Sequence, residues 1–569
     1  MPVSSHPRWG NPFEIYGSFV NPCRLTLSVD SELAGLQAMK RISGLAAQTF
    51  TSNQTSSKSD IDISEIISAL RLAQDPATIR HLTNPPVISG CIQLMRIVIC
   101  PGEEVSSPFS YEYGYLCFKL LTIVLNTCLF ERWGKLDEMA ARTAQCPLME
   151  IDTIYSIMLS SGVLKLFQTI FNSGDCDWIL GWSDPTNSHQ PQSLISHSDL
   201  SALLRLLWDD RKLFMQLSRI DTSTQYELSG VFFLMWRFVT QYGATEGHSD
   251  PNSKTPKAML YELSLRYMLV ADECQRAAMF RVSANITCGP EWTENAKHVD
   301  AEDSRFILTA FIQLLSNGSI SGLQPKQEPY MILRLVPLCV DLDSQDLLPE
   351  VARCTLEYAW SVLIEQPSEA QFVIFFAPVF GCLYTLINPY YNLPRPTALS
   401  ATTLLELVRI MHEYDLLDFT ARAMVRLHTT RSDDYDNVTN LIKDAIFHFF
   451  GMLTDLTSKE QLEDCFIGYV PEWWKFNNYL FVAAYGLDNQ PASDQKYYNL
   501  CMKIWHQIGT DLGLERAIDQ YGSLQCASNR CPRAYLRGGV RFGCAGCGRK
   551  LYCGNWCQAI ILPCSGAGI

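Results

Sequence analysis

The cysteines of the last forty-four residues constrain most tightly what this chain can fold into. Seven of its twenty-one cysteines fall there, as Cys526-x4-Cys531-x12-Cys544-x2-Cys547-x5-Cys553-x3-Cys557 with Cys564 trailing, and no histidine accompanies them. Short Cys-x2–4-Cys pairs suit a tetrahedral ion: two thiolates on one tight turn reach the same Zn²⁺ at about 2.3 Å, and two such turns close the site. In Cys544-Ala-Gly-Cys547-Gly548 the glycines ease the turn of the chain around an ion. Cys553 and Cys557, four apart, fall on one face of a helical turn. The cluster therefore offers three ligand pairs.

The remaining chain reads as a scaffold. Charged residues are 18% and hydrophobic ones 47% of its 569 residues, a balance that folds. A formal charge of −14 argues against a protein-wide affinity for nucleic acid or anionic membrane. The terminal module has the opposite sign: nothing after Asp519 is acidic, while Arg530, Arg533, Arg537, Arg541, Arg549 and Lys550 are basic. Two readings stand side by side, a basic contact surface or cations that neutralise zinc-bound thiolates. The opening MPVSSHPRWGNPFEIYG lacks a secretory pattern, so the expectation is an intracellular protein, cytoplasmic or nuclear, with reduced thiols. A disulfide framework for the cluster is set aside on that ground. Cys91, Cys100, Cys117 and Cys128 lie in apolar stretches and read as small core hydrophobes.

Apolar residues recur at helical spacing in segment after segment, and strand-like alternation is scarce. The fold class is mainly α: an irregular helical or α-solenoid-like body over 1–520, followed by a small carboxy-terminal zinc-binding module. Ser64–Leu72 reads as a helix capped by its serine, with Ile66, Ile67 and Leu70 on one side. Asp199–Leu217 and Thr402–Leu427 each read as a helical pair, broken near Asp209 and Asp210 in the first and at Asp415 in the second. Breaker-rich stretches at 49–60, 183–198, 241–257, 288–303 and 487–496 read as loops and unit boundaries. Tyr115–Phe130 and Phe372–Ile387 are each about sixteen residues, short of the roughly twenty that span a bilayer, and read as buried helices. Trp178, Trp182, Trp473 and Trp474 read as core packing rather than a recognition platform.

The cysteine module, residues 526–558, resembles the MYND-type zinc finger, whose members carry a cysteine pair, a Cys-x2-Cys pair, a Tyr-Cys-x3-Cys-Gln stretch and a final His and Cys. Here the third of these is Tyr552-Cys553-x3-Cys557-Gln558. The resemblance implies interleaved sites: Cys526, Cys531, Cys553 and Cys557 on one Zn²⁺, with Cys544 and Cys547 beginning a second. The family's last Trp, His and Cys would fall at Leu562, Ser565 and Ile569, where none matches, so 559–569 reads as an atypical tail foreign to the family, as a misplaced splice boundary would produce. The expectation is one tightly held zinc, with Cys564 as a third ligand in a weak or empty second site. The stretches HPRWGNPFEIYG and SPFSYEYGYLCFKLL are similar to segments of large fungal proteins that end in MYND fingers.

The resemblance implies a non-enzymatic adaptor whose finger docks short, often proline-containing peptides of protein partners. Tyr535, Phe542, Tyr552 and Trp556 are candidates equally for that surface and for the finger's own core. Some MYND proteins are SET-type lysine methyltransferases, but neither their Asn-His-Ser-Cys-type segment nor a strand-rich region is present. A RING-type ligase lacks its internal histidine, since His506 is the last in the chain. A nucleic-acid-reading finger ranks third, with no recognition helix to support it. No GxGxxG, GxxxxGK[ST], HExxH or GxSxG occurs, and His412 with Glu413, and Asp433 with Asp434, read as solvated faces.

Overall fold

The computed structural model describes residues 5–16, 26–46, 61–99, 107–145, 151–172, 177–182, 193–220, 227–241, 255–288, 290–318, 329–365, 369–389, 399–427, 443–485 and 492–523, and then 542–543 and 551–552. The chain is mainly helical and divides into two compact units, Met1–Val299 and Asp300–Ile569. The division lies within the breaker-rich 288–303 stretch, where a short 3₁₀ turn, Pro290–Thr293, precedes the next helix.

The principal helices of the first unit are α1 (Val29–Leu45), α2 (Ile63–Arg71), α3 (Pro86–Val98), α4 (Glu112–Arg132), α5 (Ile151–Asn172), α6 (His197–Asp209), α7 (Ser229–Gln241), α8 (Pro256–Met268) and α9 (Glu273–Ala284). The starts of α1, α2, α6, α8 and α9 are fixed by Ser28, Asp62, Ser196, Thr255 and Asp272, whose side chains accept otherwise unsatisfied amides. Helix α2 is capped by Asp62 rather than by Ser64: the Asp62 carboxylate accepts from Glu65 N at 2.9 Å, and Glu65 returns the bond at 3.1 Å to Asp62 N. The cap lies two residues before the one read from sequence, and on this helix Ile66 and Ala69 are in the core while Ile67 and Leu70 are half-buried. The pair read in Asp199–Leu217 is present, α6 ending at Asp209 and a second helix running Arg211–Ile220.

Helix α4 is the hub. At 21 residues it is longer than the apolar stretch read from sequence, and by length and composition alone it meets the requirement for a membrane span. It has no polar face: 89% of its apolar window is buried, against α2, α3 and α7 among others. Thr122 and Thr127 tolerate this by donating to the carbonyls one turn back at 2.9 and 2.8 Å. Packing joins helices distant in sequence, α7 meeting α4, α5, α8 and α9.

The two amino-terminal stretches singled out above meet in space. Glu112 N donates to Asn11 O at 2.8 Å and Tyr113 N to Trp9 O at 3.1 Å, so the opening segment lies along the entrance of α4. Trp9, 1% exposed, sets its ring against Tyr113 at 5.0 Å. Gly114 lets the turn at Pro108 fold back onto the first turn of α4, since a Cβ there would stand 1.9 Å from Pro108 O.

The second unit contains α10 (Ala301–Gly318), α11 (Leu348–Glu365), α12 (Glu369–Ile387), α13 (Ala401–Glu413), α14 (Leu416–Leu427), α15 (Val470–Tyr485), α16 (Ala492–Asp511) and α17 (Glu515–Ser523). Helix α12 carries Pro378 in its interior. The break read at Asp415 separates α13 from α14, with φ +52° at that residue. Trp473 and Trp505 are 0% exposed and exchange bonds, each indole donating to the other's carbonyl, which locks α15 to α16. Trp474 Nε1 donates to Ile518 O at 3.0 Å, holding α17. Trp182 is tied at 3.0 Å to Ile195 O, whereas Trp178 departs from the core reading at 52% exposure.

Candidate functional site

Past Ser523 the described residues are two short strands, β1 (Phe542–Gly543) and β2 (Leu551–Tyr552). They pair antiparallel, Phe542 opposite Tyr552 and Gly543 opposite Leu551. This register sends the chain out of β1 directly into Cys544-Ala-Gly-Cys547, and out of β2 directly into Cys553. The two cysteine pairs thus leave the ladder from its opposite ends. Two of the four aromatic candidates, Phe542 and Tyr552, are partners in its backbone register; Tyr535 and Trp556 lie outside the described residues. Cys526, Cys531, Cys544, Cys547, Cys553, Cys557 and Cys564 also lie outside the described residues, as do Cys100, Asp433 and Asp434. Among the described residues no three His, Cys, Asp or Glu side chains gather in a group able to hold a metal ion.

The body cysteines behave as hydrophobes. Cys91, Cys117 and Cys128 are buried in α3 and α4, and burial pushes the Cys128 thiol up to about 12. Cys382 and Cys501 are likewise pushed up to about 12 by burial. A thiol held protonated is neither a nucleophile nor a metal ligand at neutral pH.

A buried polar cluster that sequence reasoning missed sits where α4, α5 and α7 meet. Glu227, 0% exposed just before α7, accepts at one oxygen, Oε1, from Ser160 Oγ at 2.8 Å and Ser229 N at 3.1 Å. Asn126 Nδ2 donates to the Glu227 carbonyl at 2.7 Å. The other carboxylate oxygen, Oε2, has no hydrogen-bond partner among the described residues. Burial, only partly offset by the serines, pushes this carboxyl up to about 8, so it holds its proton at neutral pH. At a separate place, before the start of α4, burial raises Asp210 to about 7 against a 2.5 Å bond from Ser107 Oγ. No sequence pattern marks Glu227, which stands alone among polar residues in STQYELSG. So completely enclosed an acid stores a proton rather than meeting a substrate.

No protein-family model, no curated protein and no solved structure matches the chain.

Proposed function

We propose that this protein is a non-enzymatic adaptor in which a helical body carries a MYND-type zinc finger that docks short peptide segments of partner proteins. The β1–β2 register is the observation that carries this reading. A ladder with Cys544 and Cys547 leaving one end and Cys553 and Cys557 the other suits interleaved ligand pairs, in which each end feeds a different ion. The donor set is all sulfur, which favours Zn²⁺ and a structural role, closed to substrate. Cys526, Cys531, Cys553 and Cys557 would hold one zinc, and Cys544 and Cys547, with Cys564, would contribute to a weaker second. The ion would supply folding free energy to a segment too small to bury a core of its own.

Metal analysis of the intact chain tests the reading: about one tightly held zinc per chain is expected, and Cys553→Ser should release it while the far-ultraviolet helical signal stays unchanged. The same two proteins, probed against an array of short proline-containing peptides, should differ, with capture only by the zinc-loaded chain. Retention of metal by Cys553→Ser, or equal capture by both, would overturn the proposal. Full-length proteins are the right comparison because a cut after Gln520 falls inside α17 and would disturb its packing on α15.

A further inference from the structure

A groove of about 720 Å³ opens in the second unit between the α13–α14 junction and the start of α15. That volume lies within the range of roughly 300–1,000 Å³ typical of ligand sites. Its apolar wall is Phe476 stacked on Tyr479 with centroids 6.1 Å apart, and Tyr479 is 43% exposed. Its polar wall has three carboxylates, Asp415, Asp418 and Glu472, around the hydroxyl of Tyr469. Burial first, and then those three charges, keep that phenol well above its ordinary range, so it remains a neutral hydrogen-bond donor.

Two of the carboxylates are compensated within their own helices, Asp418 by Arg422 at 2.8 Å and Glu472 by Lys475 at 2.9 Å. Asp415 has neither an ion-pair nor a side-chain hydrogen-bond partner among the described residues. The groove is therefore left with one uncompensated negative charge beside an aromatic wall. Its residue closes α13 and opens α14 through the backbone, Asp415 N donating to His412 O at 3.1 Å and Phe419 N to Asp415 O at 2.9 Å. Aspartate tolerates φ +52°, and an acid directly before α14 suits the positive end of that helix, while the carboxylate stays exposed at the groove.

We propose that this groove binds an arginine or lysine side chain presented on an extended segment of a partner protein. Asp415 takes the cationic head, Phe476 and Tyr479 cover the aliphatic stem, and the Tyr469 hydroxyl donates to a carbonyl of the bound backbone. The negative sign rejects phosphate and nucleic acid. A divalent cation is not served by one free carboxylate, and no three-ligand group is present among the described residues. None of the groove's lining residues belongs to the cysteine module, and the proposal does not rest on that module.

The test uses the full chain and a fluorescein-labelled Leu-Arg-Leu amide at 150 mM salt, followed by anisotropy. Its citrulline counterpart keeps the shape and removes the charge. Asp415→Asn is the informative variant because asparagine accepts the left-handed backbone, so the junction survives. Glu365→Gln removes an acid in the same unit but outside the groove. Saturable binding is expected, weakened at least tenfold by citrulline and by Asp415→Asn, and changed less than twofold by Glu365→Gln or by Cys553→Ser. Failure of the arginine peptide to saturate, equal binding of the citrulline peptide, or equal losses in Asp415→Asn and Glu365→Gln would each overturn the assignment.

Discussion

In the unit that ends at Val299, Arg266 and Glu262 lie side by side on α8 with 0% and 1% of their side chains exposed; in the unit that begins at Asp300, Arg353 holds Glu350 and Glu357 along the outside of α11. The contrast recurs. The first unit also buries Arg237 with Asp177 at 2.6 Å, and it seals Glu227 among serines. Among the described residues of the second unit, Asp303 is the charged side chain buried, and ion pairs such as Arg409–Glu406 and Arg422–Asp418 stay at the surface within one helix. Burying an ion pair costs desolvation that its attraction barely repays, so such pairs are weak evidence for stability. They do make a unit sensitive to losing one partner. The first unit should therefore respond steeply to charge deletion and pH, and the second only shallowly.

The largest expected effect is at Arg266. Its Nε lies 3.4 Å from Glu262 Oε1, and its Nη2 donates to Lys297 O. Arg266→Ala leaves Glu262 buried against Arg211, whose Nε is at 3.6 Å. The cost should be about 3–5 kcal/mol, read from chemical denaturation of the full chain. Replacing both members, as Glu262→Gln with Arg266→Met, should cost much less. If the single and double replacements cost the same, the contrast between the units is not one of charge burial.

The helical body was legible because amphipathic spacing declares itself locally: the breaks at Asp210 and Asp415 are visible as polar interruptions between apolar runs. Helix α4 was only half legible, since a helix buried on all sides has no period to read, and its ends at Glu112 and Arg132 lie outside the apolar run. The α2 start was misplaced by two residues because Ser64 and Asp62 are both good caps, and only the reciprocal bond with Glu65 selects the aspartate. Glu227 was invisible: its burial depends on α4 and α5 closing over it from far along the chain. The groove was invisible for the same reason, as α13, α14 and α15 contribute its walls separately. The cysteine ligands were legible as chemistry, and β1–β2 adds to them an order of strands that spacing alone does not contain.

The intermediate effect concerns pH. The Glu227 carboxyl stands at about 8 in the fold against an ordinary 4.5, so the folded state holds the proton more tightly than the unfolded one. Stability from this group is therefore greatest below about pH 4.5, falls as pH rises towards 8, and is flat above. The slope reaches at most about 1.4 kcal/mol per pH unit. Glu227→Gln mimics the neutral acid and should remove about 2 kcal/mol of the decline between pH 6 and pH 8. Asp210, raised to about 7, has the same sign and keeps part of the decline in the variant. An unchanged slope in Glu227→Gln would place the pH sensitivity elsewhere.

The smallest effect belongs to Arg353, although its bonds look better on geometry than those of Arg266. Its guanidinium reaches Glu350 at 2.5 Å and Glu357 at 2.6 Å, but those partners are 44% and 41% exposed. Water already solvates both acids, and little is left uncompensated when the arginine goes. Arg353→Ala should cost about 1 kcal/mol or less, and the difference should shrink further in 0.5 M salt, where exposed charges are screened within about 4 Å. Acid should erase the same increment. The Arg353 hydrogen bonds hold the Glu350 carboxyl below its ordinary range, so its contribution is present at neutral pH and lost as pH falls through that lowered value. A loss at Arg353 as large as that at Arg266, insensitive to salt, would mean that exposure is the wrong variable and that bond geometry governs both units alike.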